Sequence, residues 1–538
     1  VDGMMMDFPL TLRHFLERSH QLFADREVVE RTPTGVERSS YGAIYQRCGR
    51  LANALRRLGI QPGDRVGSFS WNTIRHLEVY LGVPCSGVVL HTANIRLFPE
   101  QTVYVINDAG NRLLFIDRAL LPVIEPLRDR LETVEHLVVL DGEPAPDGML
   151  SYEELLAAES PEFEWPDLEE RSACAICYST GTTGNPKGVV YSHRALVLHS
   201  MASTARDSLF VGQADTVMPV VPMFHANGWG LPYTATGVGA KQVLPGVAPT
   251  PADLLQLVQD EKVTFAAGVP TVWMAALPLL QAGMYDVSSL DRILIGGSAV
   301  PQALIEAYRK LGVPIVQGWG GTETSPLATN SVMRREILHL PPEEQDRYRA
   351  KQGISSLGIE VKIVDDQGND VPWDGESYGE TVVRGPWVTA GYLHLDSADR
   401  FTSDGWFRMG DVATIDPLGY VQIVDRTKDL IRSGGEWISS VELESALVGH
   451  PDVVEATVIA VPDEKWGERP CACIVLREGA RGSVTREDII EFLRPHFASW
   501  WLPDHVSFID EIPKTSVGKF DKKVLRRRHA EGLLLPER

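Results

Sequence analysis

The sequence is poor in the features that mark several protein classes. Six cysteines in 538 residues, Cys48, Cys85, Cys174, Cys177, Cys471 and Cys473, are too few for a disulfide framework. Cys174 and Cys177 form a C-x-x-C, but no second pair follows at zinc spacing. They lie in the apolar run "ACAICY" and read as packed strand residues. Positive charge is also scarce: 51 Lys and Arg against 72 Asp and Glu give a net charge of −21. That excludes a nucleic-acid or anionic-membrane partner held by bulk charge. No apolar run reaches the length of a membrane span, so no integral membrane association is expected. The start, "VDGMMMDF", lacks a charged leader region and a long apolar stretch, which leaves the cytoplasm as the default compartment. Internal repeats and low-complexity tracts are absent.

What is present is ordinary globular composition in a chain too long for one core. A short apolar run, a glycine or polar cluster and a helical pattern recur in that order. "ACAICY" (173–178), "VTFAAG" (263–268), "RILIGG" (292–297) and "VPIVQG" (313–318) are such runs. They suit strands buried on both faces of an α/β sheet. Ligands bind at the carboxyl ends of such strands, so the four following loops are expected to converge on one site. Beyond about residue 425 the texture changes. A polar stretch leads into a helix start with a Ser439–Glu442 capping box, then the strand-like "EATVIAV" and "CACIVL", then the helical "REDIIEFLRPHF". A large N-terminal α/β region (1–425), a hinge (426–431) and a small mobile α+β C-terminal domain (432–538) are expected.

The stretch "YSTGTTGNPKGVV" (178–190) crowds glycine and hydroxyl residues into a turn between apolar runs. It is not a P-loop of the G-x-x-x-x-G-K-[ST] kind, because Asn185 and Pro186 follow Gly184 and Lys187 has no hydroxyl after it. Its backbone amides, with Ser179, Thr180, Thr182 and Thr183, nonetheless suit a phosphate, and Lys187 adds charge.

That loop resembles the signature loop of the AMP-forming acyl-CoA synthetases, of the adenylate-forming superfamily. "GWGGTETSP" (318–326), "GWFRMGD" (405–411), "DRTKDLIRSGGEWIS" (425–439) and "PKTSVGK" (513–519) follow in the family's order, and the resemblance runs from about residue 10 to about residue 530. "VVPMFHANGWGLPY" and "SGGEWISSVELES" look most like bacterial medium- and long-chain fatty acyl-CoA synthetases.

The resemblance implies the adenylate-forming enzyme fold and a two-step reaction. A carboxylate attacks the α-phosphate of ATP to give acyl-AMP and pyrophosphate, and coenzyme A thiol then displaces AMP. It implies that the loop Ser179–Gly184, including Gly181, holds the β- and γ-phosphates, that Thr180 and Glu323 hold Mg²⁺, and that Thr322 contacts phosphate. Trp319 stands where the family most often has a tyrosine against adenine, with Gly320 beside it; Gly296 and Gly297 would let the backbone approach the acyl chain and nucleotide. Asp411 matches the ribose ligand, although Met409 departs from the usual threonine, and Arg426 matches a nucleotide contact. Lys428 matches the hinge, Lys519 the lysine that offsets charge during adenylation, and Gly434 and Gly435 the pantetheine channel. Arg432 departs from the lysine of near relatives. His225 would sit near the carboxylate and Trp229 would gate the acyl tunnel, with Gly321 leaving room; their four-residue spacing would put both on one helical face. The substrate expected is a medium-chain fatty acid. The alternatives are a short functionalised acid such as 3-methylthiopropionate, or loading of a carrier protein. A homodimer is also implied.

Overall fold

The computed structural model describes residues 3–179, 185–427, 429–434, 436–514 and 520–534. Among them, strands form four sheets. Two large sheets carry the α/β region. One has Phe265–Gly268, Arg292–Gly296 and Ile315–Trp319 as adjacent parallel strands at its heart. The other contains Ala173–Ser179, parallel to Val89–Thr92 and antiparallel to Lys187–Ser192. All four expected apolar runs are therefore strands, but they are divided between two sheets. A continuous apolar run says that both faces are covered and does not say which strand lies beside it. Cys174 and Cys177 are buried strand residues; the Cys174 thiol faces Tyr191 O and the Cys177 thiol lies against Thr92 Oγ1.

The register keeps the strand ends level, with Gly268 beside Ile295 and Gly296 beside Gly318. The turns that follow therefore open on one side of the sheet, as parallel strands require. An antiparallel sheet of Glu360–Val364, Gly379–Arg384, Phe407–Ile415 and Val421–Arg426 closes that side.

The C-terminal region has its own sheet and its own core, in which Leu443, Leu447, Val458, Ile474, Ile489 and Val506 are buried together. Its first helix, Ser440–Val448, starts at Ser439 with half of the expected capping box: Ser439 Oγ accepts the Glu442 N–H at 3.1 Å, and among the described residues no return bond reaches the Ser439 N–H from the Glu442 side chain. The same hydroxyl donates to Val424 O, and the Ser440 N–H donates to Asp425 Oδ2 at 2.8 Å. These bonds tie the helix start to the last strand before residue 428. The run "REDIIEFLRPHF" is helical only over Arg486–Leu493: Arg494 keeps helical backbone as the cap, and Pro495 has no N–H with which to continue the ladder. No helix among the described residues is long and apolar enough to cross a membrane.

Candidate active site

The two ends of the glycine-rich loop are pinned side by side, since Ser179 and Lys187 are register partners. Thr180, Gly181, Thr182, Thr183 and Gly184 lie outside the described residues, as do Lys428, Gly435 and Lys519. At the loop's exit, Gly188 O accepts the Leu393 N–H at 2.8 Å, and the Lys187 ammonium stands 5.0 Å from the ring centre of Tyr392.

Glu323 occupies a short turn, Thr322–Thr324, directly after the strand Ile315–Trp319. Three bonds from distant residues brace this turn. Tyr392 Oη donates to Glu323 Oε1 at 2.7 Å, the Thr389 N–H donates to Glu323 O at 2.8 Å, and Tyr191 Oη donates to Thr322 O at 2.6 Å. Burial, then the adjacent Glu323 carboxylate, hold the Tyr392 phenol well above its usual range, so it stays a donor. Gly320 is obligatory here: a Cβ on it would lie 1.8 Å from Pro326 O. Gly321 lies on the same side as Glu323. A Cβ there would meet Glu323 Oε2 at 2.9 Å and the Met409 methyl at 3.5 Å. The family departure at Met409 therefore faces the Glu323 turn.

Asp411 is 2% exposed and sits between two donors. Arg426, its cross-strand partner, approaches Oδ1 with Nε at 2.8 Å, and Trp319 donates Nε1–H to Oδ2 at 3.0 Å. The Asp411 carboxylate in turn raises the Arg426 pKa above its ordinary value. Three expected nucleotide residues, from two sheets, thus meet at one carboxylate.

The segment carrying His225 and Trp229 corrects one expectation. His225 has extended backbone, and Ala226, Asn227, Gly228, Trp229 and Gly230 all have positive φ, between 42° and 72°. The chain makes a left-handed turn, so four-residue spacing does not put the two side chains on one right-handed helical face. Such backbone costs roughly 1–2 kcal/mol at each non-glycine residue. The surroundings impose it. Asn72 accepts the Met223 N–H at 2.8 Å and donates to Pro219 O and Val221 O, Tyr80 Oη donates to Met223 O, and Thr234 Oγ1 donates to Gly230 O. The turn aims the Trp229 indole at Gly296: a Cβ on Gly296 would meet its Cη2 at 3.3 Å. Trp229 is 8% exposed and packs in an apolar cluster with Val221, Ala267, Leu294 and Leu327, joined by Val269. Gly297, with φ +85°, turns the chain beside it.

Gly434, with φ +61°, donates its N–H to Trp466 O at 2.7 Å, and a Cβ on it would meet the Trp466 indole at 2.8 Å. The Arg432 N–H donates to Glu468 Oε2. Tyr392, Tyr191, Asn72 and Trp466 were not singled out by the sequence. None of them stands at a spacing that distinguishes it, and each reaches its partner from far along the chain.

Residues 16–393 match the AMP-binding enzyme family, and residues 442–519 match the AMP-binding enzyme C-terminal domain. The chain belongs to this family. It is 49% identical over 529 residues to a long-chain-fatty-acid–CoA ligase of Thermus thermophilus, covering 98% of this chain and 96% of that one. It is 44% identical to a 3-methylmercaptopropionyl-CoA ligase of Ruegeria lacuscaerulensis, covering 99% of each. It is 42% identical to a medium-chain-fatty-acid–CoA ligase of Ectopseudomonas oleovorans, covering 99% of this chain and 98% of that one. Among solved structures, an anthranilate CoA ligase in complex with anthranoyl-AMP superposes with a TM-score of 0.89 at 28% identity, covering 98% of this chain and 99% of that one. The protein is an AMP-forming acid–CoA ligase with the adenylate-forming fold, and its substrates are a carboxylic acid, ATP and coenzyme A.

Proposed function

We propose that this ligase activates medium-chain fatty acids. The observation that carries the reading is the apolar cluster around Trp229, whose indole closes against Gly296. Such a wall rewards an alkyl chain by about 0.8 kcal/mol for each methylene it buries. A short thioether acid such as 3-methylthiopropionate is the second reading, favoured by the 44% identity to a ligase named for that acid. The test is AMP release with coenzyme A present over saturated acids of four to sixteen carbons, with 3-methylthiopropionate included. A maximum in kcat/KM between six and twelve carbons is expected; a maximum at the thioether acid, or at sixteen carbons, rejects the reading. Release that needs a carrier-protein thiol in place of coenzyme A would assign the enzyme to carrier loading.

In this reading the loop Ser179–Gly184 binds the β- and γ-phosphates as the leaving group. Asp411 accepts the ribose hydroxyls, Trp319 stacks on adenine, and Arg426 contacts the nucleotide. His225 borders the carboxylate, and Lys519 arrives on the C-terminal domain after rotation at Lys428. Glu323 and Thr180 are the residues that would hold Mg²⁺. The donor set fits that ion: Glu323 is an oriented carboxylate held by Tyr392, whose ring packs against Lys187 at the exit of the glycine-rich loop. Magnesium is commonly held this way, by one or two carboxylates with substrate phosphates and water. When bound, it neutralises the phosphate charge that repels the incoming carboxylate. Gly434, whose backbone is covered by Trp466, lines the coenzyme A path together with Gly435.

A further inference from the structure

The bond between Trp319 and Asp411 joins the end of the large parallel sheet to the antiparallel sheet that covers it. Indole Nε1–H can only donate, and it lies on the ring edge in the ring plane. The edge therefore holds the carboxylate without using a π face, and the ring is half-buried against the large hydrophobic core. The carboxylate itself turns about Cβ–Cγ, a torsion with broad wells that needs a partner on each oxygen to be fixed. Arg426 supplies one partner from a long side chain that is 48% exposed. Trp319 supplies the other from a stiff side chain anchored on the strand Ile315–Trp319. The indole is the hold that comes from the large sheet, and the guanidinium the hold that comes from the covering sheet.

We propose that Trp319 is a positioning residue: its indole N–H sets the plane of the Asp411 carboxylate and thereby the recognition of the ribose hydroxyls of ATP. This rests on the reading of Asp411 as the ribose ligand. A tyrosine at this position carries its only donor at the far tip of the ring, so the edge contact belongs to the tryptophan.

Trp319→Phe keeps a stacking face and removes the N–H. Steady-state kinetics with ATP and with 2′-deoxy-ATP separate the two contributions. For the variant, KM for ATP is expected to rise by about tenfold with kcat within about threefold, the scale of one hydrogen bond to a charged group. Its kcat/KM preference for ATP over 2′-deoxy-ATP is expected to fall at least about fivefold, since a carboxylate without the indole N–H is held less closely in the plane that reads the hydroxyls. An unchanged preference overturns the proposal even if KM rises, because lost stacking alone would weaken both nucleotides equally. Asp411→Asn is the companion variant. If it leaves the preference at the wild-type level, the ribose reading of Asp411 fails; if it abolishes the preference and Trp319→Phe does not, only the role of Trp319 fails. Should Trp319→Phe not accumulate as folded protein, Trp319→Tyr is read in the same way.

Discussion

Tyr392 Oη donates to Glu323 Oε1 across 69 positions of sequence, at 2.7 Å, and its ring lies under the Lys187 ammonium. One phenol thus fixes the acid that follows the strand Ile315–Trp319 and braces the exit of the glycine-rich loop. Tyr392→Phe keeps the ring and removes the bond. The half-saturating Mg²⁺ concentration in ATP–pyrophosphate exchange should rise by about tenfold, consistent with one hydrogen bond to a charged group. Glu323→Gln should cost far more; equal magnesium dependence in wild type and Tyr392→Phe would remove the bracing role.

Lys519→Ala should slow acyl-AMP formation by roughly two to three orders of magnitude, the usual loss for one preorganised electrostatic group. Thioester formation from supplied acyl-AMP should change much less. Rapid-quench measurement of each half-reaction checks this, and pyrophosphate release at the wild-type rate would refute it.

Trp229→Ala should move the acid-length optimum more than it lowers the best rate, because the indole is the wall that meets Gly296. The acid panel read by AMP release gives the result directly. An unchanged profile would show that the chain runs elsewhere.

Gly230→Ala should destabilise the fold by about 1–3 kcal/mol, from strained backbone and steric overlap together. Gly230 has φ +72°, and a Cβ there would stand 2.6 Å from the His199 ring. Urea unfolding at fixed pH measures the loss; a midpoint equal to wild type would mean that the left-handed turn relaxes freely.

Glu30 gives a pH test. It is buried, accepts the Ile74 N–H at the start of a helix, and burial raises its pKa to about 7. A carboxyl whose folded pKa lies above its unfolded value holds its proton more tightly when folded. Its contribution is therefore complete below about pH 4.5 and is lost as pH rises through 7. Glu30→Gln should flatten this slope, gaining about 1 kcal/mol relative to wild type between pH 6 and 8.5. Parallel melting curves for the two proteins across that range would contradict it.

The parts legible in the sequence were those written in local pattern. Four apolar runs gave four strands, and motif order pointed to a nucleotide site in which Trp319, Asp411 and Arg426 do meet. The left-handed turn was not legible, because reasoning from four-residue spacing assumes right-handed backbone. Contacts distant in sequence, among them those from Asn72 and Tyr80 far upstream, impose the other hand. Tyr392 was hidden for a similar reason: its partner is set by how the antiparallel sheet folds over the parallel one. The split of the strands between two sheets was equally beyond a pattern that records burial and no neighbours.

The pairing of Ser179 with Lys187 bears on how this enzyme can diverge. The two strands that flank the loop are antiparallel neighbours, so their alignment fixes where the loop starts and ends. Exchanging residues within 180–186 leaves that alignment intact. Inserting or deleting one would have to be absorbed inside the loop, because sliding the second strand by a single position would exchange buried Val189 with exposed Val190. Variation in the loop's chemistry therefore leaves the strands undisturbed, whereas variation in its length must be taken up by the loop alone.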